Sequence, residues 1–393
     1  MINRPTYLHQ LDLLKDKQII KVLTGVRRSG KSTILKLYQK HLLSQEITTN
    51  QIININFEDL DFVNLKTYLD LYNFIKAHLQ HDKMNYIFID EIQNIPHFEK
   101  AIDSLLLKEN VDIYITGSNA FLLSGELATL LSGRYIEIPV YPLSFKEYYS
   151  STNLTPQVAF NHYLERGGFP FATELEDENT YLSYIQGIIN TVLVKDILTR
   201  LPKGNASLLE RIATYLTETA GNLTTISKIA NTLTSYGMKT NSPTVLNYVH
   251  NLVSSFLFYE CPRFDIAGKK YLQVNNKYYV VDPALRRALL GQKRPNIGSR
   301  LENIVYLELK RRHYQVYVGK LHDTEVDFVA IKDGITSYYQ VSLSVQNEQT
   351  YQREIRPFKN IHDNYQKILL TYDPDNYNDN GIEHQNIIDW LLK

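Results

Sequence analysis

Apolar residues in the first third of the chain come in short unbroken runs separated by polar or helical stretches. Ile19-Ile-Lys-Val-Leu-Thr24 is one such run, closed by Gly25. Tyr86-Ile-Phe-Ile89 and Val111-Asp-Ile-Tyr-Ile-Thr116 are two more, and Tyr135-Ile-Glu-Ile-Pro-Val140 follows. Runs this short and this apolar predict buried strands rather than half-exposed ones. Strands near 19–24, 52–57, 86–90, 112–116 and 135–140 alternate with helical spacing, which predicts an α/β domain with a mostly parallel sheet. From 147 to 202 the pattern turns helical, broken chiefly at Gly167-Gly168 and Pro170, and Lys203-Gly-Asn reads as a joint. Helical patterns then start near Leu208, Thr225 and Ser242, with Pro243 suited to a first helical turn. In the tail, a helix opening at Gly298 precedes two strands, Glu325–Ile331 and Ser337–Ser342, joined by the turn Asp333-Gly334.

With 393 residues the chain has room for several domains. Hydrophobic residues make up 44% and charged ones 21%, so it folds rather than staying disordered. Lys plus Arg and Asp plus Glu number 42 each, which excludes a generally polycationic nucleic-acid coat but not a local patch. One cysteine, Cys261, excludes an internal disulfide and a cysteine-rich zinc site. The polar opening and the lack of a long apolar run predict a cytoplasmic protein with no membrane partner.

The chemistry begins immediately after the first strand. Gly25-Val26-Arg27-Arg28-Ser29-Gly30-Lys31-Ser32-Thr33 is the GxxxxGK[ST] pattern in strand–loop–helix context. Gly25 and Gly30 let successive backbone N–H groups point at phosphate oxygens, and the following helix adds its positive end. Lys31 suits β- and γ-phosphates, Ser32 a Mg²⁺ ion and Thr33 the α-phosphate, so the implied ligands are ATP or ADP and Mg²⁺. Arg27 and Arg28 contact nucleotide or a neighbouring subunit, or are solvated. The strand ending at Asp90-Glu91 places one acid to hold Mg²⁺ and the next, Glu91, to polarise the attacking water. Arg134, between a loop and the last strand of the run, suits an arginine finger that completes a neighbour's site in a homo-oligomer. An intramolecular salt bridge is the competing assignment.

Taken in order, Leu23–Thr33, Phe88–Gln93, Thr116-Gly-Ser118, Ser132-Gly-Arg134 with Tyr141–Glu147, Gly167-Gly-Phe-Pro170 and Glu325-Val-Asp-Phe328 give the chain a family likeness. It resembles bacterial and archaeal AAA+ ATPases that join an N-terminal ATPase to a C-terminal nuclease-fold domain of unknown function. The resemblance implies ATP binding, Mg²⁺ and hydrolysis, and it supplies no cellular role. It also implies a helical lid after the core, and a polar residue after the strand 111–116 that senses the γ-phosphate, with Asn119 and Ser118 preferred to Thr116.

The expected organisation is an AAA+ P-loop core at 1–146, a helical lid at 147–202, a winged helix-turn-helix at 203–275 and a PD-(D/E)xK-like α/β domain at 276–393. The third helix of the winged-helix segment, from Ser242 to Ser254, has no Lys or Arg, which argues against autonomous DNA reading there. Residues 263–312 instead carry twelve Lys or Arg and four acids, interleaved with Tyr271, Tyr278 and Tyr279. This is the candidate DNA-binding stretch; a solvated basic face is its alternative. In the tail, Glu302 and Asp327 match metal-ligand acids, but Gln340-x-Ser342 stands where an active nuclease needs an acid and a lysine. Glu325 is the candidate replacement carboxylate, and the expectation is a domain without nuclease activity. The function expected is Mg²⁺-dependent ATP hydrolysis coupled to movement of the C-terminal segments. The alternative is a slow nucleotide-gated switch or adaptor that grips a protein or nucleic-acid partner.

Overall fold

A computed structural model of the chain describes residues 2–117, 131, 133–201, 204–291 and 297–393, with 273 and 274 as backbone only. The chain divides into two compact units, Met1–Tyr141 with Ser254–Phe256, and Pro142–Val253 with Leu257–Lys393.

In the first unit the apolar runs are strands, as their composition dictates: β1 (Ile20–Thr24), β2 (Ile52–Asn56), β3 (Asn85–Asp90), β4 (Val111–Thr116) and β5 (Tyr135–Pro139). They form one parallel sheet in the order β2-β3-β4-β1-β5. β1, β3 and β4 are buried along their whole length, as central strands covered on both faces must be. Alternate residues serve the two faces. Val22, Ile87, Ile89, Ile113 and Ile115 pack with the helix Phe98–Leu106. Leu23, Phe88 and Tyr114 pack with the helix Lys31–Ser44 through Ile34, Leu35 and Tyr38. The sheet is parallel, so the loops leaving β1 and β3 emerge at the same edge.

In the second unit the helices Phe145–Tyr149, Pro156–Arg166 and Glu178–Thr191 lie with the C-terminal elements, and the helix Pro283–Leu290 packs against the last two of them. Buried Asp282 explains the glycine pair. Its carboxylate accepts from Gly168 N at 2.8 Å, and a Cβ on Gly167 would sit 1.7 Å from its Oδ1. Three helices follow, Ala206–Glu218, Ile226–Ser235 and Ser242–Ser254. Asn205 and Thr225 cap the first two by accepting from Leu208 N and Lys228 N. Next come the antiparallel strands β6 (Phe258–Asp265) and β7 (Lys270–Val280), and Thr224 bridges to Asn276. After the helix Ile297–Arg311 come β8 (Gln315–Leu321), β9 (Thr324–Lys332) and β10 (Ile335–Ser342), joined as antiparallel neighbours. The helix Glu348–Lys359 leads to β11 (Gln366–Thr371), parallel to β10, and β12 (Tyr377–Asp379) and β13 (Ile382–Asn386) complete an edge. All eight strands form one sheet, β12-β13-β11-β10-β9-β8-β6-β7. The final helix, Ile387–Leu392, buries Trp390 against Tyr339 and under the Arg312 guanidinium, 4.3 Å from the ring centre. Among the described residues no helix is long and apolar enough to cross a membrane.

Candidate functional site

The loop between β1 and the helix Lys31–Ser44 takes conformations that its sequence permits and most sequences do not. Gly25 has φ 141° and Gly30 φ 102°, values that favour residues without a Cβ. A Cβ at Gly25 would also sit 2.1 Å from the Val140 carbonyl oxygen, which β5 brings alongside when Val140 N donates to Thr24 O at 2.7 Å. Both glycines are therefore required by the path of the loop, Gly25 by its φ and by the Val140 carbonyl and Gly30 by its φ. Arg28, with φ 68°, is exposed, while Arg27 lies 3.6 Å from Glu58. Val26 is buried; Ser32 and Thr33 open the helix, half-buried.

Lys31 is buried, and its ammonium donates to the Gly25 and Val26 carbonyls at 2.9 and 3.1 Å. The Ser29 hydroxyl is fully buried and has no hydrogen-bond partner among the described residues. A buried hydroxyl without a partner is costly, and this one lies inside the glycine loop, next to Gly25, where a phosphate oxygen would satisfy it.

β3 delivers Asp90 and Glu91 to the same edge, and both are largely buried. Thr116, at the end of β4, donates its hydroxyl to Asp90 Oδ1 and accepts from Glu91 N at 3.2 Å. The Glu91 backbone is left-handed, with φ 54°, and its carboxylate accepts from the Gln93 amide. Asp90 and the Ser32 hydroxyl are hard oxygen donors of the kind Mg²⁺ takes. With the unpartnered Ser29 hydroxyl in the same loop as Ser32, the residues present fit Mg²⁺ with a polyphosphate.

Not every expected residue joins this constellation. Arg134 precedes Tyr135, which pairs with Ile20 at the start of β1, whereas the glycine loop follows the end of β1. At about 3.3 Å per residue, Arg134 stands roughly 15 Å from that edge along the sheet. It pairs with Asp103 at 2.9 Å instead. Asn119 and Ser118 lie outside the described residues. Thr116, ranked below them from the sequence, is the strand-end residue that touches both acids.

Two residues were missed altogether. Arg4 is buried under the loop, donating to Ser29 O at 3.3 Å and Tyr141 O at 3.0 Å. An arginine 25 residues upstream of its partner carries no local signal. Lys277 counted only as one of the basic residues of 263–312, yet it is buried, 2.9 Å from Glu302 and 2.7 Å from Glu325. Other members of that stretch are also paired within the second unit: Arg287 with Glu165 and Glu178, Arg311 and Arg312 with Glu308. Lys269 and Lys270 remain exposed at the turn between β6 and β7, beside exposed Tyr271. The excess of basic residues in the sequence is therefore not an equal excess on the surface.

Residues 17–149 match the family model described as an AAA domain, and residues 157–296 match a domain of unknown function, DUF8612. The Walker-type ATPase PABY2304 of Pyrococcus abyssi is a structural neighbour with a TM-score of 0.51 and 18% identity, covering 74% of this chain and 96% of its own. An uncharacterized protein of Methanocaldococcus jannaschii, MJ1544, is 29% identical over 95% of this chain and 85% of its own. An uncharacterized protein of Haemophilus influenzae is 41% identical over 100% of this chain and 99% of its own. The chain therefore belongs, over its whole length, to the family of that Haemophilus influenzae protein, and its N-terminal part, which matches the AAA domain model, has the α/β fold of a P-loop ATPase.

Proposed function

We propose that this chain is a Mg²⁺-dependent ATPase whose hydrolysis cycle drives change in its C-terminal segments. The observation that carries the reading is that Lys31, the unpartnered Ser29 hydroxyl, Asp90 and Glu91 all come to one edge of the sheet, although 59 residues separate the first glycine-loop lysine from Asp90 in the sequence. Mg²⁺, held through Ser32 and Asp90, would supply neutralisation of charge at the β- and γ-phosphate oxygens. The loop N–H groups of residues 25–33 bind the phosphates, and Lys31 exchanges the Gly25 and Val26 carbonyls for them. Thr116 fixes Asp90 and the Glu91 backbone. Glu91 orients the attacking water and accepts its proton at the carboxylate. Arg134, remote from its own chain's loop, acts on the site of a neighbouring copy once it leaves Asp103. Asn119 keeps the γ-phosphate-sensing role in this proposal.

Helix–helix–helix–hairpin order over 206–280, with the Thr224–Asn276 bridge, supports a winged-helix reading of that segment. The succession of a helix, three antiparallel strands, a helix and a parallel strand over 297–371, with Glu302 and Asp327 at one cluster, supports a PD-(D/E)xK-like reading. Gln340 there donates to Glu354 at 3.0 Å, and neither it nor Ser342 replaces the missing acid and lysine, so the domain is proposed to lack nuclease activity. Contact with DNA is proposed for the exposed turn at Lys269–Tyr271.

Steady-state ATP turnover and nucleotide binding test the reading. Lys31→Ala loses nucleotide binding. Glu91→Gln keeps binding and loses about 100-fold or more in turnover. Equal turnover in wild type and Glu91→Gln overturns the role of Glu91. Stimulation by DNA supports action on DNA, and near-zero rates with and without it favour a nucleotide-gated switch.

A further inference from the structure

The second unit holds a charge cluster around a buried lysine that the ATPase reading does not use. Glu302 comes from the helix Ile297–Arg311, Glu325 and Asp327 from one face of β9, and Lys277 from β7. The Lys277 ammonium lies 2.9 Å from Glu302 Oε1, 2.7 Å from Glu325 Oε1 and 3.9 Å from Asp327 Oδ1. Its side chain is 3% exposed. Tyr279 donates its hydroxyl to Glu302 at 2.6 Å, and Val341 N donates to Asp327 Oδ2 at 2.8 Å. Glu302 and Asp327 are thus oriented from outside, and an ammonium sits among all three carboxylates.

Desolvation alone would drive a buried lysine toward its neutral form. Here burial lowers the Lys277 ammonium, but Glu302, Asp327 and Glu325 outweigh it and hold it charged. Burial, then repulsion from Glu302, pushes the Asp327 carboxyl well up, against the pull of Lys277. By geometry alone, three carboxylates gathered this closely repel one another, and the ammonium among them offsets that repulsion.

Three carboxylates from a helix and a strand around one cation is how a protein holds a divalent ion with hard oxygen ligands. Among the described residues no three acids, histidines or cysteines are arranged to hold a metal ion. Two of the three oxygens are already within 3 Å of the ammonium, a short contraction from metal–oxygen distances of about 2.0–2.6 Å.

We propose that the Lys277 ammonium is a built-in replacement for a divalent cation, so that this cluster is a latent metal site closed by the chain's own lysine. The proposal rests on this cluster alone and stands or falls separately from the ATPase reading. It supplies a cause for the proposed lack of nuclease activity that is independent of Gln340 and Ser342: the place of the metal is taken.

The test is Mn²⁺ uptake by the nucleotide-free full chain, followed through the paramagnetic resonance of the free ion. In wild type, uptake is the same with and without Asp327→Asn. Lys277→Met gains about one Mn²⁺ per chain, the gain disappears in Lys277→Met/Asp327→Asn, and Mn²⁺ raises the unfolding midpoint of Lys277→Met but not of wild type. A folded Lys277→Met that takes up no additional Mn²⁺ overturns the proposal. So does a wild-type uptake that falls on Asp327→Asn, because the site would then accept metal with the lysine in place. Lys277→Gln, which keeps hydrogen-bonding capacity without charge, repeats the test if Lys277→Met fails to fold, and the wild-type comparison decides if neither variant folds.

Discussion

Single residues show what a short motif conceals. Gly167 looks like one half of a helix-ending glycine pair. Its φ of 68° and the Asp282 carboxylate that would overlap its Cβ make it a fixed part of the second unit. Burial pushes that carboxyl up to about 7, against the two N–H groups that it accepts from and the nearby Arg311. Gly167→Ala should therefore destabilise the unit by about 3 kcal/mol or more, since overlap and backbone strain add. Gly187, inside the helix Glu178–Thr191 and with open space where a Cβ would stand, should gain about 0.5–1 kcal/mol on the same change. Urea unfolding followed by circular dichroism compares the two; equal effects would refute the assignment. At this scale the sequence spoke clearly where chemistry is local. The placement of Lys31, Asp90 and Glu91 is legible because each sits in a contiguous loop or at a strand end. Arg4 and Lys277 were not, and the bonds of Thr116 to both acids were not, because each acts on partners about 25 residues away in sequence and only folding makes them neighbours.

Elements were legible in proportion to their apolar contrast. The five runs at 19–24, 52–57, 86–90, 112–116 and 135–140 are the five parallel strands, differing by a residue at their ends. The hairpin β6–β7 was harder, because Arg263, Asp265, Lys270 and Lys277 interrupt its apolar pattern and β7 runs straight across residues 275 and 276. A charged residue inside a strand is not always a surface mark. Lys21 of β1 and Asp112 of β4 are fully buried and paired, and Asp112 also accepts from Tyr114 at 2.8 Å and from Asp16 N at 2.9 Å. Burial lowers the Lys21 ammonium and raises the Asp112 carboxyl, each opposed by the other. Lys21→Met or Asp112→Leu alone should cost about 3–5 kcal/mol by stranding the partner's charge. The double variant should cost clearly less than the two added together. Thermal or denaturant unfolding of the four chains closes the cycle, and strict additivity would show that the pair is not coupled.

At the scale of the whole molecule, the position of Arg134 at the far end of β5 makes its proposed role a matter of assembly. Arg134→Ala should lower turnover by about 1,000-fold if the residue completes a neighbour's site. Mixing Arg134→Ala with Lys31→Ala, each inactive alone, should then restore part of the rate, because one chain contributes the loop and the other the arginine. No recovery on mixing, with assembly verified by light scattering, would assign Arg134 to its pair with Asp103. The sequence contains one tryptophan, Trp390, and it is enclosed by Tyr339 and Arg312 within the second unit. Indole emission is thus a native reporter confined to the unit that lacks the glycine loop: any spectral change on adding nucleotide would be a signal transmitted from the other unit, obtained without attaching a dye.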